Sequence, residues 1–450
     1  MANIKDSHNF EQLVKKRDFK AVREVLCNLR DADVAFFIEE LSVENAIIVF
    51  RSLPKSRAAK IFAYLSSDMQ EHIVRAITDN EVSSIINQLF VDDAADFLEE
   101  LPANIVKRVL RNASPEAREL INQFLQYPPE SAGSIMTAEF VDLKKNMTVA
   151  QAFKRIRRTA IDKETVYTCY VINSRRHLQG VVTVKRLFLS DENSTMDEIM
   201  EKNIIYAHTT DDQEAVAELF TKYDLLSLPI VDHENRLVGI VTIDDIVEVI
   251  QDEATEDFQK MAAITPLEKP YLKTSIFSLA KNRIMWLMIL MISAMVTGGI
   301  LEKYEAAFIA VPLLVTFIPM LTDTGGNAGS QSSTLIIRSM ALSEITTRDF
   351  WRVLFKELAV SLLVGTALST VNFFRLILMH PGEYLMATVV SCALLATVVL
   401  AKTIGGVLPL IAKVFKTDPA IMAAPVITTI VDALSLIIYF KIVEVFLLSK

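Results

Sequence analysis

Apolar residues recur every twelve positions near the start of the chain, at Leu41, Leu53, Leu65, Ile77, Leu89 and Leu101. Eight positions after each comes another, at Val49, Ile61, Ile73, Ile85, Phe97 and Val109. Residue types that begin helices often follow the leading one: Ser42, Pro54, Ser66, Thr78 and Pro102. A start signal every twelve residues predicts one short helix per unit. Helices this short cannot bury a face alone, so the repeat predicts stacking into an all-α superhelix over residues 1–128. The rival reading is an ordinary helical bundle with a coincidental period.

From residue 129 the pattern becomes a duplication. The first copy, 129–199, holds Ile135, Met136 and Thr137, a helical run (149–157), a β-branched run (167–172) and a second such run around Gly180. The second copy, 200–262, opens at Ile199 and Met200 and repeats the order, with a helical run at 214–223 and β-branched runs on either side of Asn235. These runs predict an α/β pair of domains, with Gly180 and Gly239 closing hairpin turns. Five apolar segments follow: 284–300, 306–337, 359–379, 384–412 and 420–440. Each reaches the roughly 17–25 residues that span a bilayer as helix. Residues 282–450 are therefore expected to form a polytopic membrane domain with five transmembrane helices. Residues 263–281 are expected to be a connecting, plug-like helix.

Charge divides the chain at the same place. Apolar residues make up 51% of it and its net charge is −9. From Arg283 onward 12 Lys/Arg stand against 10 Asp/Glu, while the preceding residues carry 34 against 45. An acidic, water-soluble part thus precedes one whose partner is the lipid bilayer, and the acidic balance argues against nucleic acid. Lys281 and Arg283 precede the first apolar segment. Arg338, Arg348, Arg352 and Lys356 lie between the second and third, and Lys413 and Lys416 between the fourth and fifth. The positive-inside rule then puts the N-terminal domains in the cytoplasm and the C-terminus outside the plasma membrane. Cys27, Cys169 and Cys392 lie too far apart for a disulfide scaffold or a zinc ribbon. The first twelve residues have no apolar core, so no cleavable signal is expected. No HExxH, GxSxG or P-loop occurs, and no enzymatic activity is expected.

Candidate chemistry lies first in the second apolar segment. Asp323, Asn327 and Gln331 stand there among Gly325, Gly326, Gly329 and several Ser and Thr residues. Polar, irregular backbone is tolerated at membrane depth only against protein or water. A broken helix lining an ion path is therefore expected, with a small-residue packing seam as the rival. The fifth segment carries one ionisable residue, Asp432, near its centre. A lone intramembrane carboxylate is functional by default and suits a hard cation. Pro425 is expected to free the carbonyl of Ile421 as a further ligand. The rival role for Asp432 is structural pairing with Lys402. A third constellation is acidic: Asp92, Asp93 and Asp96, then Asp211, Asp212 and Glu214, then the run from Asp244 to Asp257. Unaided, the bland reading is a solvated acidic face.

The stretch from Leu228 to Ile246, LPIVDxxxRLVGIVTxxDI, resembles the second half of a tandem CBS pair. Such pairs often bind adenine nucleotides, which implies ATP as a candidate cofactor. The chain as a whole resembles the MgtE family of magnesium channels. The resemblance implies a homodimer with a cation path on its two-fold axis and Mg²⁺ as both substrate and regulator. The membrane signature of the family corresponds to Gly325, Gly326, Asn327, Gly329 and Gln331, and its pore aspartate to Asp432, after Pro425. Asp323 and Thr428 complete the expected pore lining. Cytosolic Mg²⁺ would be held by Asp92, Asp96, Asp212, Glu214, Asp245, Glu248, Glu253, Glu256, Asp257 and Asp418. Asp323 and Lys402 stand where relatives tend to carry uncharged residues, and are expected to neutralise each other. The expected function is import of Mg²⁺ through a selective channel, closed by cytosolic Mg²⁺ at acidic N-domain/CBS interfaces. An ion-coupled divalent-cation carrier or exchanger, and a non-transporting sensor, are the alternatives.

Overall fold

The computed structural model describes residues 10, 13, 14, 16, 18–99, 101–267, 271, 272, 274–305, 309 and 311–448. The chain divides into two compact units, Met1–Gln251 and Asp252–Lys450.

In the first unit the described residues open with short helices: α1 (Phe19–Asn28), α2 (Asp31–Glu39), α3 (Val43–Arg51), α4 (Lys55–Ala63), α5 (Ser67–Ala76), α6 (Asp79–Ile86), α7 (Val91–Glu99), α8 (Ala103–Asn112) and α9 (Pro115–Phe124). The residues that set the twelve-residue period point inward. Leu41, Leu53, Leu65, Ile77 and Leu101 are buried, and Val49, Ile61, Ile73 and Val109 are wholly so. Helices pack on the next but one, α2 on α4, α3 on α5 and α4 on α6, then α6 on α8 and α7 on α9. That is the stacking of a superhelix. Arginines tie successive turns together. Arg57 donates to Asp31 Oδ1 at 2.6 Å and to the carbonyls of Leu26 and Leu29 at 2.8 and 2.6 Å. Arg108 does the same for Asp79, Val74 and Ile77. Both satisfy carbonyls that the end of a helix leaves without a partner.

The duplicated part forms two three-stranded sheets of the same build. β1 (Val141–Leu143) pairs parallel with β2 (Thr168–Ile172), which pairs antiparallel with β3 (Leu178–Thr183). β4 (Ala207–His208), β5 (Ser227–Val231) and β6 (Leu237–Thr242) repeat that order. Helices α10 (Val149–Thr159), α11 (Val184–Leu189), α12 (Met196–Ile199) and α13 (Gln213–Tyr223) accompany the strands, and α14 (Ile243–Met261) follows β6. Gly180 and Gly239 do not close the hairpins as expected. They lie inside β3 and β6, and the chain turns instead at Arg176 and Asn235, which take the left-handed conformation (φ 66° and 58°). The glycines seat methionines: a Cβ at Gly180 would strike the side chain of Met200, and one at Gly239 that of Met136. Each copy thereby receives a methionine from the other. Val216, Phe220, Leu228, Ile230 and Ile246 of the second copy share one apolar core with the superhelix.

The second unit contains α15 (Ile276–Lys303), α16 (Ile318–Ala341), α17 (Phe350–Met379), α18 (Tyr384–Val414) and α19 (Ala424–Val443). Among the described residues, four helical stretches are long and apolar enough to cross a membrane: Ile276–Lys303, Thr347–Met379, Tyr384–Val414 and Ala424–Leu447. The fifth expected span, α16, is 24 residues long, but its polar run keeps it out of that group. The second apolar segment is interrupted as expected, but ahead of its polar run and not within it. Asp323 through Thr334 lie in one regular α-helix, and the irregular backbone comes before it, in a 3-10 turn at Pro312–Phe317. A regular helix pairs its backbone groups internally, so the polarity resides in the side chains alone. Residues 306–308 and 310 lie outside the described residues.

The expected helix over 263–281 does not form as one element. α14 ends at Met261, Ala263 is left-handed (φ 53°), and Pro266 follows. A left-handed residue and then a proline is a common way to end a helix. α15 starts at Ile276, where the Ser275 hydroxyl accepts from the Ser278 amide at 3.2 Å. Residues 268–270 and 273 of that stretch lie outside the described residues.

Candidate metal sites and ion path

In the first unit α7 presents Asp92, Asp93 and Asp96 toward Asp244, Asp245 and Glu248 at the start of α14. Glu139 and Glu164, from the first CBS copy, join the group. Asp92 is 8% exposed, and its Oδ1 is buried with no hydrogen-bond partner, as is Oε2 of Glu164. Burial, reinforced by Asp93 and Asp245, holds the Asp92 carboxyl well above the usual carboxylate range. Burial and the neighbouring carboxylates push Asp93 to about 6 and Glu164 to about 7. Asp245 is pushed to about 6 by burial, although Thr242 Oγ1 donates to its Oδ2 at 2.7 Å. Asp96 keeps part of its side chain exposed at the edge of the group. Loss of solvent around its carboxyl, with Glu99 and Asp93 nearby, raises it to about 7. Like charges out of water repel strongly, so each of these groups holds its proton to higher pH than an exposed carboxylate, and a counter-charge among them would favour their ionised form.

The structure thus brings together Asp92, Asp96, Asp245 and Glu248 of the expected set, and adds Asp93, Glu139 and Glu164. Asp212 and Glu214 are exposed at the start of α13, where Asp212 Oδ1 accepts from the Glu214 amide at 2.8 Å. Among the described residues no three His, Cys, Asp or Glu side chains converge closely enough to hold a bare metal ion. The donor set is all oxygen and loosely spaced. That fits Mg²⁺ keeping several of its waters, because the ion dehydrates reluctantly.

In the second unit Glu256, Asp257 and Asp418 lie around Lys260. Its Nζ stands 2.6 Å from Glu256 Oε1 and 2.7 Å from Asp418 Oδ2. Burial would lower this ammonium, but the two carboxylates outweigh it and hold the group raised. Asp257 is pushed up by burial and by Asp418. The side chain of Met261 packs against Ile337, Ala420 and Ala423 beside this cluster. Glu253 is half-buried on the same helix.

Along α16 the exposed residues Asp323, Asn327, Gln331 and Thr334 form one stripe at a spacing of three to four, a single helix face. Gly325, Gly326 and Gly329, expected to line the path, are buried on the other side. A Cβ at Gly325 would meet Thr397 and Val431, one at Gly326 Thr428, and one at Gly329 Ile427. They form a packing seam against α18 and α19. Asp432 is half-buried in α19, near enough to Asp323 for the two carboxylates to repel. Pro425 lies in the first turn of α19, where a proline costs no helical hydrogen bond. It therefore frees no carbonyl inside a helix. Its own carbonyl accepts from the hydroxyls of Thr428 and Thr429, at 3.0 and 2.8 Å.

The expected Asp323–Lys402 pair is not formed, nor is a pairing of Lys402 with Asp432. Lys402 donates to Ser332 Oγ at 3.3 Å, and Ser332 donates to Glu357 Oε2 at 2.6 Å.

Comparison with known proteins agrees with this architecture part by part. Residues 318–442 match the family described as divalent cation transporter, residues 29–130 the MgtE intracellular N domain, and residues 132–191 and 196–252 the CBS domain. The chain is 35% identical over 443 residues to the magnesium transporter MgtE of Thermus thermophilus, covering 98% of both chains. It is 31% identical to that of Bacillus subtilis, covering 94% of this chain and 97% of the other. Among solved structures, the cytosolic domain of the Mg²⁺ channel MgtE in complex with ATP is 34% identical, with a TM-score of 0.52. That match covers 54% of this chain and 99% of that one. The chain belongs to the MgtE family of magnesium transporters, membrane proteins that carry an ion and are not enzymes.

Proposed function

We propose that the protein is a homodimeric, Mg²⁺-selective channel of the plasma membrane, closed by the ion it admits. The observation that carries this is the carboxylate group Asp92, Asp93, Asp96, Asp245 and Glu164, which runs from buried Asp92 to Asp96 at its exposed edge and forms no ion pair with a cation among the described residues. When cytosolic Mg²⁺ is scarce these charges repel and the superhelix and CBS faces part. When it is plentiful, hydrated Mg²⁺ bridges them. A ligand shifts such an equilibrium only by its differential affinity for the two states, and many loosely held carboxylates give a weak, collective sensor. Glu248 joins this sensor in the first unit, with Asp212 and Glu214 as its outlying members, and Glu253, Glu256, Asp257 and Asp418 are a second acidic group, in the second unit, that binds the same ion. In this reading residues 1–128, 129–262, 263–281 and 282–450 act as sensor, CBS pair, connector and pore, with the C-terminus outside. ATP binds at the CBS pair, a reading supported by the ATP-bound relative.

The ion moves along the stripe of Asp323, Asn327 and Gln331 and past Asp432, one from each protomer. The membrane potential drives it inward with about 2.3 kcal/mol per charge per 100 mV. The test is Mg²⁺ flux through the full-length protein in proteoliposomes, with Mg²⁺ varied on the cytoplasmic side. Flux should fall as that Mg²⁺ rises, and D92N with D245N should move the fall to higher Mg²⁺. Flux that saturates and requires a Na⁺ or H⁺ gradient would instead make the protein a coupled carrier.

A further inference from the structure

Three buried side chains of the second unit are not on the exposed stripe. Lys402 in α18 is 6% exposed, Glu357 in α17 is 7%, and Ser332 in α16 is 2%. The hydrogen bonds from Lys402 to Ser332 and from Ser332 to Glu357 join them into one chain across three helices. Gly406 provides the room, because a Cβ there would stand 2.6 Å from Glu357 Cγ. A lone charge of either sign at such depth is costly, and intramembrane ionisable residues usually pair or serve a function. Here the ammonium and the carboxylate balance each other through the hydroxyl.

The position of Ser332 gives this arrangement its consequence. It follows Gln331, the third residue of the stripe, and so points about 100° away from it. Ser332 is held from two directions at once, by α17 and by α18. Apolar packing alone would let α16 turn about its axis. Hydrogen bonds weaken steeply with angle and resist such a turn. The glycine seam at Gly325, Gly326 and Gly329 brings the helices close but offers no directional contact of its own.

We propose that Glu357, Ser332 and Lys402 form a positioning triad that sets the rotation of α16, and through it the ion selectivity of the path. This rests on the reading of Asp323, Asn327, Gln331 and Asp432 as that path. Lys402 also serves as a tethered counter-ion, without which Glu357 would be a bare carboxylate able to take up a permeating cation.

The test compares Mg²⁺ and Na⁺ fluxes of the full-length protein in proteoliposomes for K402M, E357Q, S332A and the K402M/E357Q double variant, with D432A alongside. Each charge variant should lower the Mg²⁺-to-Na⁺ flux ratio about tenfold, the size of coupling usual within one hydrogen-bonded network. Its elution on size exclusion should be unchanged. The double variant removes both charges together and should regain most of the ratio. S332A keeps both charges and loses only the bridging hydroxyl, so it should shift the ratio the same way by less. If K402M fails to fold, S332A and the double variant carry the test. An unchanged ratio in S332A and in the single charge variants that fold, or a double variant no better than the worse single one, overturns the triad. D432A separates the two ideas. Retained Mg²⁺ flux in D432A sinks the path itself, whereas lost flux there beside unchanged ratios in the triad variants sinks the triad alone.

Discussion

Replacing Asp93 with Asn should make the metal-free cytosolic part more stable at alkaline pH and leave it unchanged at acid pH. In the folded unit this carboxyl is held at about 6, by burial first and then by Asp245 and Glu248; unfolded, it would titrate near about 4. The folded state therefore holds its proton over a range where the unfolded state has lost it. The sign follows: the contribution of this group is whole below about pH 4 and is lost as pH rises through about 6. A difference of about two pH units corresponds to about 3 kcal/mol. For a unit of this length one kcal/mol moves the melting temperature by roughly 2–4 °C. At pH 8 without Mg²⁺, D93N should then melt about 6–12 °C above the unchanged protein, an upper bound because its neighbours share the strain. Near pH 4 the two should melt together. Saturating Mg²⁺ supplies the missing positive charge, so it should close the gap at pH 8. The assay is thermal denaturation of residues 1–262 followed by near-ultraviolet circular dichroism. Equal melting at pH 8, or a gap that Mg²⁺ leaves untouched, would refute the reasoning.

Asp432→Ala should abolish Mg²⁺ flux in proteoliposomes while the protein elutes unchanged, and Asp432→Asn should impair selectivity more than assembly; full selectivity in the alanine variant would remove Asp432 from the path. Lys260→Met and the E256Q/D257N double variant should act in opposite directions on closure by cytoplasmic Mg²⁺. The first takes away a competing ammonium and should lower the Mg²⁺ needed, the second takes away acceptors and should raise it, and shifts of the same sign would contradict the competition. Gly405→Ala would drive a methyl group onto the carbonyl of Gly329. Overpacking of this kind costs about 1–3 kcal/mol, which should appear as a lower melting temperature in detergent, and unaltered melting would show that the seam yields.

Much of the architecture was legible because it is periodic. The twelve-residue repeat reads directly as buried Val49, Ile61 and Ile73, since position along a short helix determines which side chains face inward. The duplication likewise foretold two sheets of one build. Glu139 and Glu164 were not legible as neighbours of Asp93, because nothing local announces an approach made across separate domains. The continuity of α16 was missed for a different reason. Glycine and polar side chains suggested a break, yet three of the glycines make room for neighbouring helices. The partner of Lys402 was overlooked because the apolar pattern begins the third membrane segment at residue 359. The helix starts at Phe350 and carries Glu357 inside it.

The approach of Gly329 and Gly405 has a mechanical consequence. A Cβ at Gly405 would overlap the Gly329 carbonyl, so the two backbones are in contact there and α16 can tilt about that contact more readily than it can slide. That point is a fulcrum with unequal arms. At about 1.5 Å of rise per residue, Asp323 lies about 9 Å to one side and Arg338 about 13 Å to the other. A tilt that swings the Arg338 end one way carries Asp323 the opposite way by about two-thirds as much. The helix is then a reduction lever, turning a coarse displacement at one end into a finer one beside the carboxylates. Distances from spin labels at Thr322 and Ser339, taken at low and high Mg²⁺, should change with opposite signs in that proportion; changes of one sign would mean that the helix slides instead.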